Sequence, residues 1–155
     1  MRPTTGMVKE ALFSMVAARI DLEGCSVLDL YGGTGALGFE ALSRGAASVR
    51  YVDRNAALAR EVAAAAAGFG WSDRFSLAVG RVADVLLREE RSYDLILIDP
   101  PYREAALEEL GALLPPARLV VVEADSPRAL GAAWRPIGWR RYGGTQIGLF
   151  DRQEI

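Results

Sequence analysis

The sequence predicts a single α/β domain built around a mostly parallel sheet. Segments with strand-like and helix-like apolar spacing alternate along the chain, and a glycine-rich turn joins the first strand to the next helix. The 155 residues, of which 51% are hydrophobic, are enough for one core and too few for a separate substrate domain. We therefore expect one domain over residues 1–155.

The first half of the chain alternates helices and strands. Apolar residues at helical spacing between Val8 and Ile20 predict an amphipathic helix, and the short segment 26–30 predicts a buried strand. The glycine-rich turn 31–35 then leads into a helix of about ten residues that ends near Arg44. Residues 49–53 predict a second strand, and an alanine-rich helix follows it as far as Gly68.

The second half repeats this alternation and ends in a hairpin. Residues 75–79 predict a third strand, 82–88 a short helix, 104–113 a longer helix and 119–123 a fifth strand. The nearly all-apolar segment 93–99 predicts a central parallel strand, which Pro100 and Pro101 end because proline cannot continue a ladder. The pair Gly143-Gly144 predicts a tight turn between antiparallel strands over 139–142 and 145–150.

Composition excludes several classes of function. The chain has no histidine, which removes histidine-base, triad and zinc-hydrolase chemistry, and we expect no metal. Cys25 is the single cysteine, so an internal disulfide is excluded and a structural role in a reducing cytoplasm is expected. No secretory signal or membrane span is indicated. A net charge of −2 does not favour a protein that coats nucleic acid with positive charge.

The glycine turn indicates a site for a nucleotide-like ligand. Glycines let the backbone approach a ligand, and the following helix offers unpaired N–H groups. Gly33, Gly35 and Gly38 satisfy the dinucleotide fingerprint, and Asp53 ends the next strand, where an acid can bind ribose hydroxyls. The pattern fits a nicotinamide cofactor or S-adenosylmethionine, and the alternative is a ligand-free turn. Asp29 favours S-adenosylmethionine, because a carboxylate repels a pyrophosphate and suits the cationic methionine end.

The tetrapeptide Asp99-Pro100-Pro101-Tyr102 indicates the chemistry. It follows the fourth strand and should face the same cleft as the glycine turn. The Asp99 carboxylate and the Pro100 carbonyl can accept hydrogen bonds from an exocyclic amine, which localises its lone pair and stabilises the developing positive charge. Tyr102 offers a face on which a flipped base can stack. The plainer alternative is a Pro-Pro turn with a surface tyrosine.

The residues as a whole resemble the RsmD family of bacterial 16S rRNA guanine-N2 methyltransferases. The resemblance runs from the Arg-Pro-Thr-Thr segment at 2–5, through 8–13 and 27–46, to the tetrapeptide 99–102 and the final hairpin at 144–152. It implies a class I S-adenosylmethionine-dependent methyltransferase, a Rossmann-like fold with a seven-stranded, mostly parallel sheet in the order 3-2-1-4-5-7-6 and an antiparallel C-terminal hairpin. The implied substrate is guanine 966 of 16S rRNA in the assembled or assembling small subunit, modified by a cytoplasmic monomer.

Motifs and resemblance together give the candidate site residues. They are Asp99, Pro100 and Tyr102 for the target amine; Asp29, Tyr31, Gly32, Gly33, Thr34, Gly35, Asp53, Arg54, Arg81 and Val82 for the donor; and Arg2, Thr4, Thr5 and Pro101 on the substrate side.

Three departures from the family pattern bear on these expectations. Family members usually carry a basic, glycine-containing segment ahead of the Arg-Pro-Thr motif that could help to bind RNA, and this sequence starts at the motif, so its RNA affinity stays open at this point. Gly6-Met7 stands where the family usually has Asp-Arg. Arg81 stands where the family often has an acid for the adenine amino group, and Asp84 is an alternative for that role.

Other functions remain open at this point. The same chemistry could act on DNA adenine, another RNA base or a protein glutamine; a nicotinamide oxidoreductase and a catalytically idle RNA-binding module are further alternatives. A basic and aromatic set near the C-terminus fits an RNA contact surface and an ordinary edge hairpin equally well. Its members are Trp134, Arg135, Trp139, Arg140, Arg141 and Tyr142.

Overall fold

The computed structural model describes residues 6–101 and 106–153. Within them the chain forms, in order, α1 (Gly6–Ala17), β1 (Ser26–Leu30), α2 (Ala36–Ser43), β2 (Ser48–Asp53), α3 (Ala56–Gly68), a 3₁₀ turn (Ser72–Arg74), β3 (Phe75–Val79), α4 (Val82–Leu87), β4 (Tyr93–Ile98), α5 (Leu107–Leu113), β5 (Ala117–Ala124), β6 (Trp134–Tyr142) and β7 (Thr145–Arg152).

The strands form one seven-stranded sheet in the order β3-β2-β1-β4-β5-β7-β6. β1 to β5 run parallel, β7 pairs antiparallel with β5, and β6 pairs antiparallel with β7. The implied strand order and the C-terminal hairpin are both confirmed. β1 lies between β2 and β4, where the direction of winding reverses, and open α/β sheets bind ligands at that point.

Side-chain alternation along the strands divides the core between the two faces of the sheet. Val27 of β1 packs with the buried residues of α1 and α2, whereas Leu28 and Leu30 pack with those of α4 and α5. A smaller cluster joins Tyr51 of β2 to Val62 of α3 on the α2 side. Because helices cover both faces, the central strands are mostly apolar, as the sequence of β4 predicted.

Cys25 is confirmed as a structural residue. It is buried just before β1, and its Sγ lies 2.9 Å from the backbone oxygen of Asp21, to which it donates. Burial is the main cause that raises the pKa of the thiol, which keeps it protonated and unreactive. None of the helices in the described ranges is long and apolar enough to cross a bilayer.

The structure corrects several predicted boundaries. β6 begins at Trp134, five positions before the predicted start at residue 139, because Pro136 and Gly138 interrupt the strand pattern in the sequence. Proline is tolerated there since β6 is an edge strand, and the register shifts between Pro136 and Gly138 as at a β-bulge. β4 ends at Ile98, so Asp99 follows the strand and does not belong to it. α1 ends at Ala17, before Ile20.

Candidate active site at the tips of β1 and β4

The turn after β1 has a backbone conformation that ordinary residues avoid. Tyr31, Gly33 and Gly35 have φ angles of 58°, 56° and 83°. The turn closes with a hydrogen bond of 2.9 Å from the Gly35 N–H to the Gly32 carbonyl. A positive φ is uncommon for a side chain as large as tyrosine, and strain of this kind concentrates at functional sites. The strained backbone therefore marks this turn as a candidate site.

The glycines of the turn are required by packing inside the protein. A Cβ atom on Gly32 would lie 2.3 Å from the Tyr51 ring, and one on Gly35 would lie 2.8 Å from Val62 Cγ1. The Tyr51 hydroxyl donates a 2.7 Å hydrogen bond to the Gly33 carbonyl, which ties β2 to the turn. The sequence motif explained these glycines by the approach of a ligand alone, and the structure adds their close packing against Tyr51 and Val62 as a second reason.

The contact between Gly32 and Tyr51 gives a testable prediction. Gly32→Ala should lower the free energy of unfolding by about 1–3 kcal/mol, because the fully buried Tyr51 ring must shift to admit the methyl group. Gly68→Ala at the end of α3 is the matched control, since its new Cβ meets no atom within 4 Å. The control should be neutral or stabilising by up to about 1 kcal/mol. Chemical denaturation of both variants measures the difference, and equal stabilities would contradict the packing argument.

Asp29 is a buried carboxylate with an unsatisfied oxygen. It is 2% exposed and lies in β1 beneath Gly38 of α2, whose Cβ position is 2.9 Å from Asp29 Oδ2. Among the described residues Oδ2 has no hydrogen-bond partner. Burial raises the pKa of Asp29 to about 7, and the nearby Asp53 adds to the rise while the Gly38 amide opposes it. A buried carboxylate oxygen without a hydrogen-bond partner is costly, and a cationic ligand group beside it would remove that cost.

Asp53 is fixed at the end of β2 by two backbone amides. Its Oδ2 accepts from Gly33 N–H at 3.0 Å, and its Oδ1 accepts from Asn55 N–H at 2.9 Å. Asn55 in turn caps α3, accepting from Leu58 N–H at 3.0 Å. Each carboxylate oxygen keeps a lone pair for a further donor, so the pair of oxygens fits two neighbouring hydroxyl groups.

A cavity of about 980 Å³ opens beside Tyr31 and Asp53, and neither Asp29 nor residues 32–35 are among its described lining residues. Six of the candidate residues line it: Tyr31, Asp53, Arg54, Arg81, Val82 and Pro101. Further lining residues that the sequence analysis missed are Asn55, Leu58, Gly80, Ala83, Ala106, Glu109, Leu110 and Leu113. Asn55 has a recognisable N-cap position, but the leucines of α5 have ordinary helical core spacing and gave no signal. Arg81 lines the cavity, whereas Asp84 is exposed and is not among its described lining residues.

Asp99 and the glycine turn lie at neighbouring strand tips. Leu30 at the end of β1 is in register with Ile98 at the end of β4, so Tyr31 and Asp99 leave the sheet at the same level. Asp99 and Pro100 are half-buried, and Pro101 lines the same cavity as Tyr31. The expected juxtaposition of the two loops is thus present. Arg2, Thr4, Thr5 and Tyr102 lie outside the described residues, and their roles stay predictions.

Several curated relatives carry names of rRNA methyltransferases. A putative rRNA methyltransferase, YlbH, of Bacillus subtilis is 34% identical over 116 residues, which are 73% of this chain and 62% of that protein. Ribosomal RNA small subunit methyltransferase D of Escherichia coli is 32% identical over 114 residues, 74% of this chain and 56% of the relative. The chain thus spans about three fifths of the length of these relatives.

The solved structures and a family model agree with this relationship. A putative methyltransferase, yhhF, from Escherichia coli superposes with a TM-score of 0.86 at 27% identity, covering 99% of this chain and 88% of that one. The fold is therefore that of a class I methyltransferase. The model of the family described as conserved hypothetical protein 95 matches residues 1–151. The chain belongs to this family, which is the RsmD family that its motifs indicate.

Proposed function

We propose that the chain transfers a methyl group from S-adenosylmethionine to the exocyclic N2 of a guanine in 16S rRNA. The observation that carries the proposal is that the glycine turn, which follows the unsatisfied Asp29 carboxylate of β1, leaves the sheet at the same level as the Asp99 loop of the adjacent strand. The first group suits a cationic donor, and the second suits an amine acceptor. An oxidoreductase using a dinucleotide would place a pyrophosphate near Asp29, which its charge disfavours.

The residues around the glycine turn fit the donor. Asp29 would hold the methionine ammonium, and Asp53 would accept from both ribose hydroxyls through the lone pairs left free by its backbone partners. Arg54, Arg81 and Val82 line the cavity beyond Asp53, where the adenine would lie. The bound donor supplies an electrophilic methyl group on a sulfonium, and the chain's own task is to fix its position.

The loop after β4 would prepare the nucleophile. The Asp99 carboxylate and the Pro100 carbonyl would accept hydrogen bonds from the guanine amine, which directs the nitrogen lone pair toward the methyl group and stabilises the charge that forms. The rings of Pro100 and Pro101 hold that carbonyl in place, because proline fixes φ. Tyr102 is proposed to stack on the flipped base.

The choice of substrate rests on the curated relatives. The relative from Escherichia coli is named as a methyltransferase of small-subunit rRNA, and the Asp-Pro-Pro-Tyr sequence fits an amine of a base. We propose that guanine 966 is the target, that the chain acts as a monomer in the cytoplasm, and that the substrate is the assembled or assembling small subunit. An acidic chain with a net charge of −2 has few contacts of its own to offer naked RNA.

Mass mapping of methylated guanines tests the proposal. Small subunits lacking the modification are incubated with the protein and labelled S-adenosylmethionine, alongside naked 16S rRNA, DNA and total protein. We expect one labelled guanine in 16S rRNA, with methyl on N2, and stronger labelling of subunits than of naked RNA. Label on adenine, DNA or glutamine would replace guanine as the substrate, and no transfer from S-adenosylmethionine to any of them would overturn the proposed activity.

A further inference from the structure

A second concave surface lies far along the sheet from the donor cavity, between α1 and the edge strand β6. This α1–β6 groove has a volume of about 530 Å³. Ser14 and Arg19 of the α1 region form one side, and Arg140 and Tyr142 of β6 form the other. Buried Met15 and Leu149 contribute apolar surface to it. The groove plays no part in the chemistry described above.

The structure divides the basic and aromatic set of the C-terminal hairpin into two groups. Trp134 is buried and donates from Nε1 to the Gly111 carbonyl at 2.9 Å. The Trp139 ring packs over Gly148, whose Cβ position lies 2.6 Å from the indole, and meets Phe150 edge-on. Both tryptophans therefore serve the core of the α4–α5 side. Trp139 also borders the groove, and Tyr142 is the aromatic residue of the set that lines the groove and packs against the core on the α1 side.

The arginines divide in the same way. Arg135 donates two hydrogen bonds, of 2.9 Å and 2.5 Å, to the Asp151 carboxylate across the β6–β7 pair. Arg141 donates to the Gly143 carbonyl at 3.1 Å. In the described part of the chain, Arg19 and Arg140 have no carboxylate within ion-pair distance, and both are exposed. The pKa of Asp151 is lowered mainly by its hydrogen bonds with Arg135 and also by the nearby charge of Arg19, so the charge of Arg19 is partly balanced. The groove thus carries two arginines outside the described ion pairs, on a chain whose net charge is −2.

The groove leads toward the edge of the sheet that holds the candidate active site. β6 and β5 are both antiparallel to β7, so β6 runs in the same direction as β5 and β4. Tyr142 ends β6 and therefore lies at the carboxyl edge, where Tyr31 and Asp99 also leave the sheet. A ligand that follows the groove past Tyr142 arrives at that edge.

We propose that the α1–β6 groove binds a segment of the RNA substrate. The guanidinium groups of Arg19 and Arg140 contact phosphates, and the ring of Tyr142 stacks on an unpaired base. The apolar floor with a charged rim fits RNA, which presents base faces and phosphates together. The choice of RNA rests on the proposed function, because rRNA is the substrate proposed there. Arg19 and Arg140 also place positive charge together on one surface of a chain whose net charge is negative.

Binding measurements with matched charge variants test the groove. The double variant Arg19→Gln/Arg140→Gln removes both charges and keeps side-chain volume. The control is Arg60→Gln/Arg88→Gln, on α3 and after α4, where both arginines are exposed and form no ion pair with a described residue. The groove variant should bind unmodified small subunits about tenfold more weakly, and the slope of log affinity against log salt should fall by about 1.4 for two single-strand phosphate contacts. Tyr142→Ala should weaken binding without changing the slope, and Tyr142→Phe should restore it.

The outcomes separate this proposal from the proposed function. Suppose that the parent protein methylates guanine, and that the groove variant and the control variant have the same KM and the same slope of log affinity against log salt. The groove proposal is then wrong and the proposed function stands. If the parent binds rRNA but transfers no methyl group, while the groove variant alone loses binding, the groove proposal stands and the function is wrong. A photo-cross-linker attached through Ser14→Cys, with Cys25 buried, should label rRNA; label on a ribosomal protein would overturn RNA as the occupant.

Discussion

Asp99→Ala should lower the rate of methyl transfer by about two to three orders of magnitude while S-adenosylmethionine binds with nearly unchanged affinity. Asp99 follows β4 at the level of Tyr31, so its carboxylate lies at the tip where the acceptor would enter. Its proposed partner is the amine, whose positive charge appears only as the new bond forms. Removing the Asp99 carboxylate should therefore destabilise the transition state far more than it destabilises the complex with the donor.

Single-turnover methylation of unmodified small subunits, together with calorimetric titration of the donor, measures the two quantities separately. Asp99→Asn is the matched variant, because it keeps an acceptor oxygen of similar position and removes the charge. Its rate should lie between those of the parent and Asp99→Ala. Near-normal turnover in Asp99→Ala would show that this carboxylate does not serve the amine, and a large loss of donor affinity would assign it to the donor instead.

Asp29→Asn should change stability and donor binding in opposite directions. Burial raises the pKa of Asp29 from 3.8 to about 7 in the folded protein, so the folded state binds its proton more tightly than the unfolded state does. The ionised carboxyl therefore destabilises the ligand-free fold increasingly as the pH rises from about 4 to about 7. The shift corresponds to a penalty on the order of 4 kcal/mol above pH 7. Asparagine escapes this penalty but cannot neutralise a donor ammonium.

Thermal unfolding of the ligand-free protein between pH 4 and pH 8 tests the first half of this prediction. The variant should be more stable than the parent at pH 8, and the difference should shrink as the pH falls toward 4. Calorimetry at pH 8 tests the second half, since the variant should bind S-adenosylmethionine about a hundredfold more weakly. A constant stability difference across this range would show that the Asp29 carboxyl is not the titrating group, and unchanged donor affinity would remove it from the donor site.

The sequence predicted the sheet and the two loops because both depend on local signals. The predicted bounds of β1 matched the structure, since a short buried segment that runs directly into a glycine-rich turn has a clear end in the sequence. The strand order came from the resemblance and could not have come from periodicity, which says nothing about which strands are neighbours. The start of β6 was missed because Pro136 and Gly138 conceal a strand whose position at the edge tolerates both.

The site was predictable only as far as its motifs extend. Asp29, Asp53 and the glycine turn are recognisable by spacing, and the structure brings Asp53 to the turn through the Gly33 N–H. The contribution of α5 to the donor cavity was not predictable, because Leu110 and Leu113 look like any core stripe. Which arginines of the hairpin are paired depends on cross-strand register: Arg135 faces Asp151, and Arg140 faces Ile147.

The irregular edge strand β6 also protects the protein against aggregation. A regular edge strand exposes a row of amide donors and carbonyl acceptors that a second sheet can extend, which is a route to aggregation. β6 carries Pro136, which has no N–H, next to a break in register that bends the ladder. Straightening this strand, for example by Pro136→Thr with Gly138→Val, is a change that protein engineers should avoid.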